Sequence, residues 1–262
     1  MMNQPIFLGG CERSGTTLLR VMLDTHSNIH CGPEAKIIAR TIPAWVNQRH
    51  TNTDVLREYY RFTDATIDAL YRGIILTAIS RGNTITTPWI AEKSPQNVFY
   101  YNEIRALFPR SPIINMVRDG RDVVASLLEM DWRSDTGKRL DFTVNIEAAC
   151  QRWLAAVNAN AGFQASAMAA PYLQIRYEDL VLQPKTVITK VLALLGESWE
   201  DTLLDFHMID RELGEESSAT SVRNRIADNR IGRWKDIFTG QDRSRLNSIL
   251  GEALNRLGYE AA

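Results

Sequence analysis

Apolar residues along this chain fall into short runs bounded by glycine or proline, each followed by a stretch in which apolar positions recur every three or four residues. Ile6, Phe7 and Leu8 lead into Gly9 and Gly10, and Leu18, Leu19, Met22 and Leu23 then mark one side of a helix. Ile113, Ile114, Met116 and Val117 repeat the pattern: a strand over 112–117 ends at Arg118, and Asp119 opens a helix carrying Val123, Val124, Leu127 and Leu128. Further strands are expected over 28–32, 87–92 and 172–175. Helices are expected over 34–48, where Pro43 should break or kink the helix, then 53–83, 96–108, 143–168, 184–195, 199–207 and 243–257. Strands alternating with helices predict an α/β fold, a parallel sheet covered by helices on both faces with ligands at the carboxyl ends of its strands. The two helical stretches over about 34–82 interrupt that alternation and are expected as an insertion capping the ligand mouth. Residues 1–262 read as one domain.

The first strand, loop and helix have the layout of a phosphate-binding loop. Backbone N–H groups of Ser14, Gly15, Thr16 and Thr17 would open the helix, at the positive end of its dipole. Set against the spacing of the ATP and GTP loop GxxxxGK[ST], Gly10 and Gly15 fall in place but Thr16 stands at the lysine position. A nucleoside triphosphate with magnesium is then poorly neutralised, whereas a single phosphate bearing a less charged group suits the loop, with Arg13 as a fixed cation beside it. At the second junction, Arg118 at the strand end and Ser126 two helical turns on can converge on one phosphate. Arg118 by itself reads equally well as a structural ion-pair partner. Two anion sites at neighbouring strand ends suit a nucleotide phosphorylated at both ends of its ribose.

A length of 262 residues with 45% hydrophobic content allows a full buried core. The net charge of −1 provides no overall field for nucleic acid or an anionic membrane, and no apolar run reaches membrane-spanning length. Cys11, Cys31 and Cys150 form neither a zinc pattern nor a disulfide framework, the histidines are scattered, and residues 1–5 carry no export signal. No metal is expected, and a reducing cytoplasm fits these features best.

With these motifs in view, the chain resembles the sulfotransferases that use 3′-phosphoadenosine 5′-phosphosulfate (PAPS). The loop from Glu12 to Leu19 is similar to that family's 5′-phosphosulfate loop, and Arg118 to Ser126 to its 3′-phosphate motif. The resemblance is strongest to the tyrosylprotein sulfotransferases, through Gly9, Gly10, Arg13 to Leu18, Met22 to Asp24, His26, Cys31, Gly32 and Glu34. It recurs at Lys93 with Pro95, Met116 to Arg121, Tyr177 with Glu178, and Leu257 to Tyr259. The resemblance implies that Glu34 is the base that takes the acceptor's proton, a carboxylate suited to a phenol; by position alone the favoured reading of Glu34 is an acidic residue at a helix start. It implies that Lys93 and Arg13 meet the charge that builds up during transfer, that Ser221 assists, and that Lys36 holds substrate. It implies a PAPS site made by Arg13, Ser14, Gly15, Thr16, Thr17, Arg118, Ser126 and Tyr177, with Arg225 and Arg230 from a loop over the nucleotide; adenosine 3′,5′-bisphosphate (PAP) would be the product.

Two departures stand out. The Arg-Lys-Gly motif of the cytosolic members is replaced by Ala227, Asp228 and Asn229, and the cysteine that would pair with Cys31 is replaced by Ala91. The disulfide of the animal enzymes cannot form, which implies a compact bacterial, cytoplasmic version. The leading expectation is transfer of a sulfuryl group to a peptide tyrosine, with Lys36, Arg40 and Arg49 as candidates for binding acidic flanks. Alternatives are sulfation of a small phenol, sugar or lipid hydroxyl, a P-loop kinase, or a silent nucleotide-binding protein. No nucleic acid or membrane partner is expected, and a homodimer is left open.

Overall fold

The computed structural model describes residues 5–51, 55–81, 87–166, 171–214 and 216–260. Five parallel strands form one sheet in the order β2-β3-β1-β4-β5: β1 Ile6–Gly10, β2 Ile29–Cys31, β3 Trp89–Lys93, β4 Ile113–Val117 and β5 Tyr172–Arg176. Alternate residues feed opposite faces, as the pleat requires. Phe7, Ile113 and Val117 enter one apolar cluster, and Ile6, Leu8, Ile114 and Met116 the other. Burial on both faces is why these strands read as unbroken apolar runs.

The helices are α1 Thr16–Leu23, α2 Ile37–His50, α3 Val55–Glu58, α4 Asp64–Ile79, α5 Tyr101–Leu107, α6 Gly120–Leu128, α7 Ile146–Gln164, α8 Tyr177–Leu182, α9 Pro184–Leu195, α10 Trp234–Ile237 and α11 Gly240–Arg256. Helix α2 starts three residues later than expected, at Ile37, and continues through Pro43 as one element. The expected 53–83 helix is instead α3 and α4, interrupted after Glu58, with the Thr63 hydroxyl capping α4. Its first two residues and its Gly82-Asn83 end lie outside the described residues, as does the 167–168 end expected beyond α7. The stretch expected as a helix over 199–207 is a 3₁₀ helix, Asp201–Met208. The insertion is less a cap than an extension of the core. Ile38, Ile42, Trp45, Ile67 and Ile75 join the cluster that holds Phe7, while Tyr59, Tyr60, Leu70 and Ile74 face solvent.

Cys31 and Ala91 are direct partners across β2 and β3. The cysteine missing from position 91 would thus have faced Cys31. As it stands, Cys11, Cys31 and Cys150 are buried free thiols, and burial pushes the Cys31 thiol well above its ordinary range and that of Cys150 to about 12.

Candidate active site

The loop between β1 and α1 turns through two left-handed residues, Arg13 at φ 69° and Gly15 at φ 91°. Only glycine fits at position 15, since a Cβ there would lie 2.4 Å from the Tyr177 ring. Gly10 is similarly confined, its Cβ position 2.3 Å from the Met116 carbonyl oxygen. The Ser14 amide, expected to face an anion, instead donates to the Cys11 carbonyl at 3.2 Å. The amides of Gly15, Thr16 and Thr17 are left to open α1, where helix geometry gives them no acceptor within the helix.

Arg118 follows β4 at the same edge of the sheet. It lies over the Tyr177 ring at 4.5 Å and donates to the carbonyl oxygens of Arg13 at 2.9 Å and Arg230 at 2.5 Å. Ser126, from α6, accepts from Arg13 Nε at 3.0 Å. Arg118 and Ser126 thus reach one hollow of about 240 Å³, with Arg13 between them; Tyr177, Arg225 and Arg230 also line it. Burial lowers the pKa of the Arg13 guanidinium, and repulsion from Arg118 and Arg230 adds to the shift. A partly desolvated group of cations in a hollow calls for an anion. The loop carrying Arg230 is tied down by the Asp122 carboxylate, which accepts from the amides of Gly232 at 2.8 Å and Trp234 at 2.9 Å.

Lys93 closes β3 and is fully buried. Its ammonium donates to Glu34 Oε1 at 2.6 Å, Glu216 Oε2 at 2.7 Å and Thr17 Oγ1 at 3.2 Å. Glu34 lies before the Lys36 N-cap of α2, outside the helix's first turn. Its side chain remains 22% exposed, enough for an acceptor to reach. A short chain of bonds fixes this segment against β3: the Lys36 amide donates to Ser94 Oγ at 3.1 Å, and that hydroxyl donates to the buried Glu92 carboxylate at 2.6 Å.

Glu34, Lys36, Trp132, Phe142 and Arg152 line a second hollow of about 650 Å³. The two hollows share Arg13, Gly15, Thr17 and Ser218, and so form a cleft with two halves meeting at the loop. Arg152, in an ion pair with Glu12, lies over the rings of Phe99 at 5.0 Å and Phe142 at 5.5 Å and gives the larger half an aromatic wall.

Two expectations change here. Ser221 is exposed and lines only the smaller half; the serine that meets Arg13 is Ser218, whose Oγ accepts from its guanidinium at 3.0 Å. Of the basic residues proposed for acidic flanks, only Lys36 lines the cleft, because Arg49 is held by Asp64 and Asp68 and Arg40 points into solvent elsewhere. Glu216 was not anticipated at all: it lies in an irregular segment with no periodicity to single it out. Among the described residues, no group of three or more His, Cys, Asp or Glu side chains is placed to hold a metal ion.

A model of the sulfotransferase family matches residues 5–201. The chain belongs to the sulfotransferase family. It is 29% identical to protein-tyrosine sulfotransferase 2 of Gallus gallus, over 97% of this chain and 69% of that one. It is 26% identical to a putative protein-tyrosine sulfotransferase of Caenorhabditis briggsae, over 99% of this chain and 90% of the other. Among solved structures, the sulfotransferase domain from the curacin biosynthetic pathway superposes with a TM-score of 0.67 at 22% identity, covering 100% of this chain and 99% of that one. A mouse sulfotransferase complexed with PAP superposes at 0.57 with 13% identity, over 96% and 84% of the two chains. The five-stranded parallel sheet is therefore the sulfotransferase fold, and the chain is an enzyme of that family.

Proposed function

We propose that this sulfotransferase moves a sulfuryl group from PAPS to the phenolic hydroxyl of a peptide tyrosine. One observation carries the reading: Arg13 and Thr17 line both halves of the cleft, and the buried Lys93 ammonium ties Thr17 to Glu34 in the acceptor half. The residues present fit such a donor. Ser14 Oγ and Arg118 Nε are buried without a hydrogen-bond partner at the loop, and five arginines line the nucleotide half with only Asp122 among its lining residues as a carboxylate. The protein-tyrosine sulfotransferases to which the chain is similar over nearly its full length support tyrosine as acceptor. The aromatic wall around Phe142 gives a phenol ring a surface to pack on.

When bound, the donor supplies a sulfuryl group on a phosphate leaving group. The loop amides of Gly15, Thr16 and Thr17 and the Arg13 guanidinium hold the 5′ end, while Arg118 and Ser126 hold the 3′-phosphate, with Arg225 and Arg230 closing over it. Glu34 accepts the phenolic proton as the acceptor oxygen bonds to sulfur. Lys93 and Arg13 stabilise the negative charge left on the phosphate oxygen as the old sulfur–oxygen bond breaks. We assign to Ser218, rather than Ser221, the hydroxyl that assists, because it is bonded to Arg13 and lines both halves. The buried free thiols and the Cys31–Ala91 pairing fit a reducing compartment, and we propose a cytoplasmic, bacterial setting.

The donor assignment has a direct test. PAP should bind far more tightly than AMP, and Arg118→Ala should weaken PAP by about 1.5–3 kcal/mol while barely affecting AMP. Isothermal titration with both nucleotides measures this. Equal affinities for PAP and AMP in the wild-type chain would remove the 3′-phosphate site.

A further inference from the structure

Glu216 touches three parts of the catalytic apparatus: Lys93, Thr17 and the backbone of Glu34. Its side chain is 3% exposed. Oε2 receives the Lys93 ammonium at 2.7 Å and the Thr17 hydroxyl at 2.7 Å. Oε1 lies 3.2 Å from Nε of the fully buried Arg20 and accepts the backbone N–H of Glu34 at 3.3 Å. One carboxylate therefore joins the phosphate loop, the lysine at the end of β3 and the backbone of the proton acceptor.

The charge count around Lys93 gives this arrangement a purpose. Lys93 and Arg20, both fully buried, are paired with Glu34 and Glu216, while the nearby Glu92 carboxyl accepts from Ser94 and Asn97 and burial raises its pKa. During transfer Glu34 takes up a proton and ceases to be an anion. Without a second carboxylate, Lys93 would lose its counter-ion just as it must face the leaving phosphate oxygen, and a buried ammonium stripped of its partner is costly. We propose that Glu216 is a positioning residue for the reaction: it is the anion that keeps Lys93 and the Glu34 segment in place while Glu34 is neutralised by the acceptor's proton. Arg20 holds the far oxygen, so Glu216 does not follow Lys93 toward the donor. The inference rests on the sulfuryl-transfer reading above.

The test compares wild type, Glu216→Gln, Lys93→Met and the double variant, using PAPS and a tyrosine peptide for turnover and calorimetry with PAP for binding. Glutamine preserves size and hydrogen bonding but removes the charge. Expected for Glu216→Gln is a kcat lower by roughly 10- to 100-fold with a much smaller fall in PAP affinity, since the phosphates of PAP are also held by the loop amides, Arg13 and Arg118. In the double variant the loss should be no greater than in Lys93→Met alone, because Glu216 acts through Lys93. A wild-type kcat in Glu216→Gln would overturn the proposal. So would losses that multiply in the double variant, or a fall in PAP affinity matching the fall in kcat, which would make Glu216 merely a prop for the loop. Should Glu216→Gln not fold, Glu216→Asp keeps the charge at shorter reach: a reduced kcat with intact PAP affinity supports the role, and a wild-type kcat overturns it. Absence of transfer by the wild-type chain would instead remove the underlying function; transfer by wild type with an indifferent Gln variant removes only the role of Glu216.

Discussion

Lys93→Met is expected to lower kcat by about a thousandfold, the upper range for removing one preorganised charge-stabilising group, while PAP, whose phosphates keep the loop amides, Arg13 and Arg118, loses affinity by a far smaller factor. Methionine approximates the length of lysine and keeps the apolar stem, so the change is mainly loss of the ammonium. That ammonium sits in a fully buried position between Thr17, Glu34 and Glu216, where its field is little screened by water. A fixed cation matters most when negative charge builds up on the leaving oxygen, because it requires no reorganisation at that moment. The substitution also leaves carboxylates without their partner, so the melting temperature should fall. Arg20 remains beside Glu216 and limits that loss. Turnover measured well below the melting point, beside PAP calorimetry, separates the two effects. A near-normal kcat would take Lys93 out of the chemistry.

The second large effect is expected at Glu34. Glu34→Gln should reduce kcat by roughly 10²-fold or more, because it removes the proton acceptor and keeps its volume. PAP affinity should be maintained, since the nucleotide half of the cleft is built by Arg13, Arg118, Ser126 and their neighbours and does not include Glu34. Stability should change little, because the glutamine oxygen still accepts from Lys93 and Glu216 remains as the counter-ion of that buried ammonium. The informative comparison is kcat against melting temperature for the same preparation. A folded variant that turns over at the wild-type rate would leave the phenolic proton without an acceptor in this site and would point to another base.

Much of this arrangement is legible in the sequence, for physical reasons that also mark where reading stops. Strands buried on both faces must be apolar throughout, which is why β1 and β4 stand out, and each is followed by an amphipathic helix that fixes the position of the intervening loop. Arg13, Lys93 and Arg118 could therefore be assigned to strand ends without coordinates. Gly10 and Gly15 could be singled out too, and the structure supplies the reason: a carbonyl oxygen and a tyrosine ring occupy the space a side chain would need. The insertion was harder to interpret because α3 and α4 leave Tyr59, Tyr60, Leu70 and Ile74 exposed, and apolar residues facing solvent mimic a buried stripe. Glu216 and Ser218 escaped for a different reason. They lie in an irregular segment whose backbone is placed by long-range contacts, with Glu216 reaching Thr17 and Lys93 and Ser218 reaching Arg13. No local pattern encodes such contacts. The resemblance points to Ser221 in the same segment, three residues beyond Ser218, the hydroxyl that meets the Arg13 guanidinium.

The central claim is that the two halves of the cleft serve one sulfuryl transfer to a tyrosine hydroxyl. The most direct measurement incubates the purified chain with sulfur-labelled PAPS and two peptides differing only in tyrosine or phenylalanine at one position, followed by mass spectrometry of the peptides. The account predicts label on the tyrosine peptide as an O-sulfate, formed at a rate that collapses in Glu34→Gln and Lys93→Met, and none on the phenylalanine peptide. Tight PAP binding with no label on any tyrosine peptide, or label transferred equally well by Glu34→Gln, would contradict it.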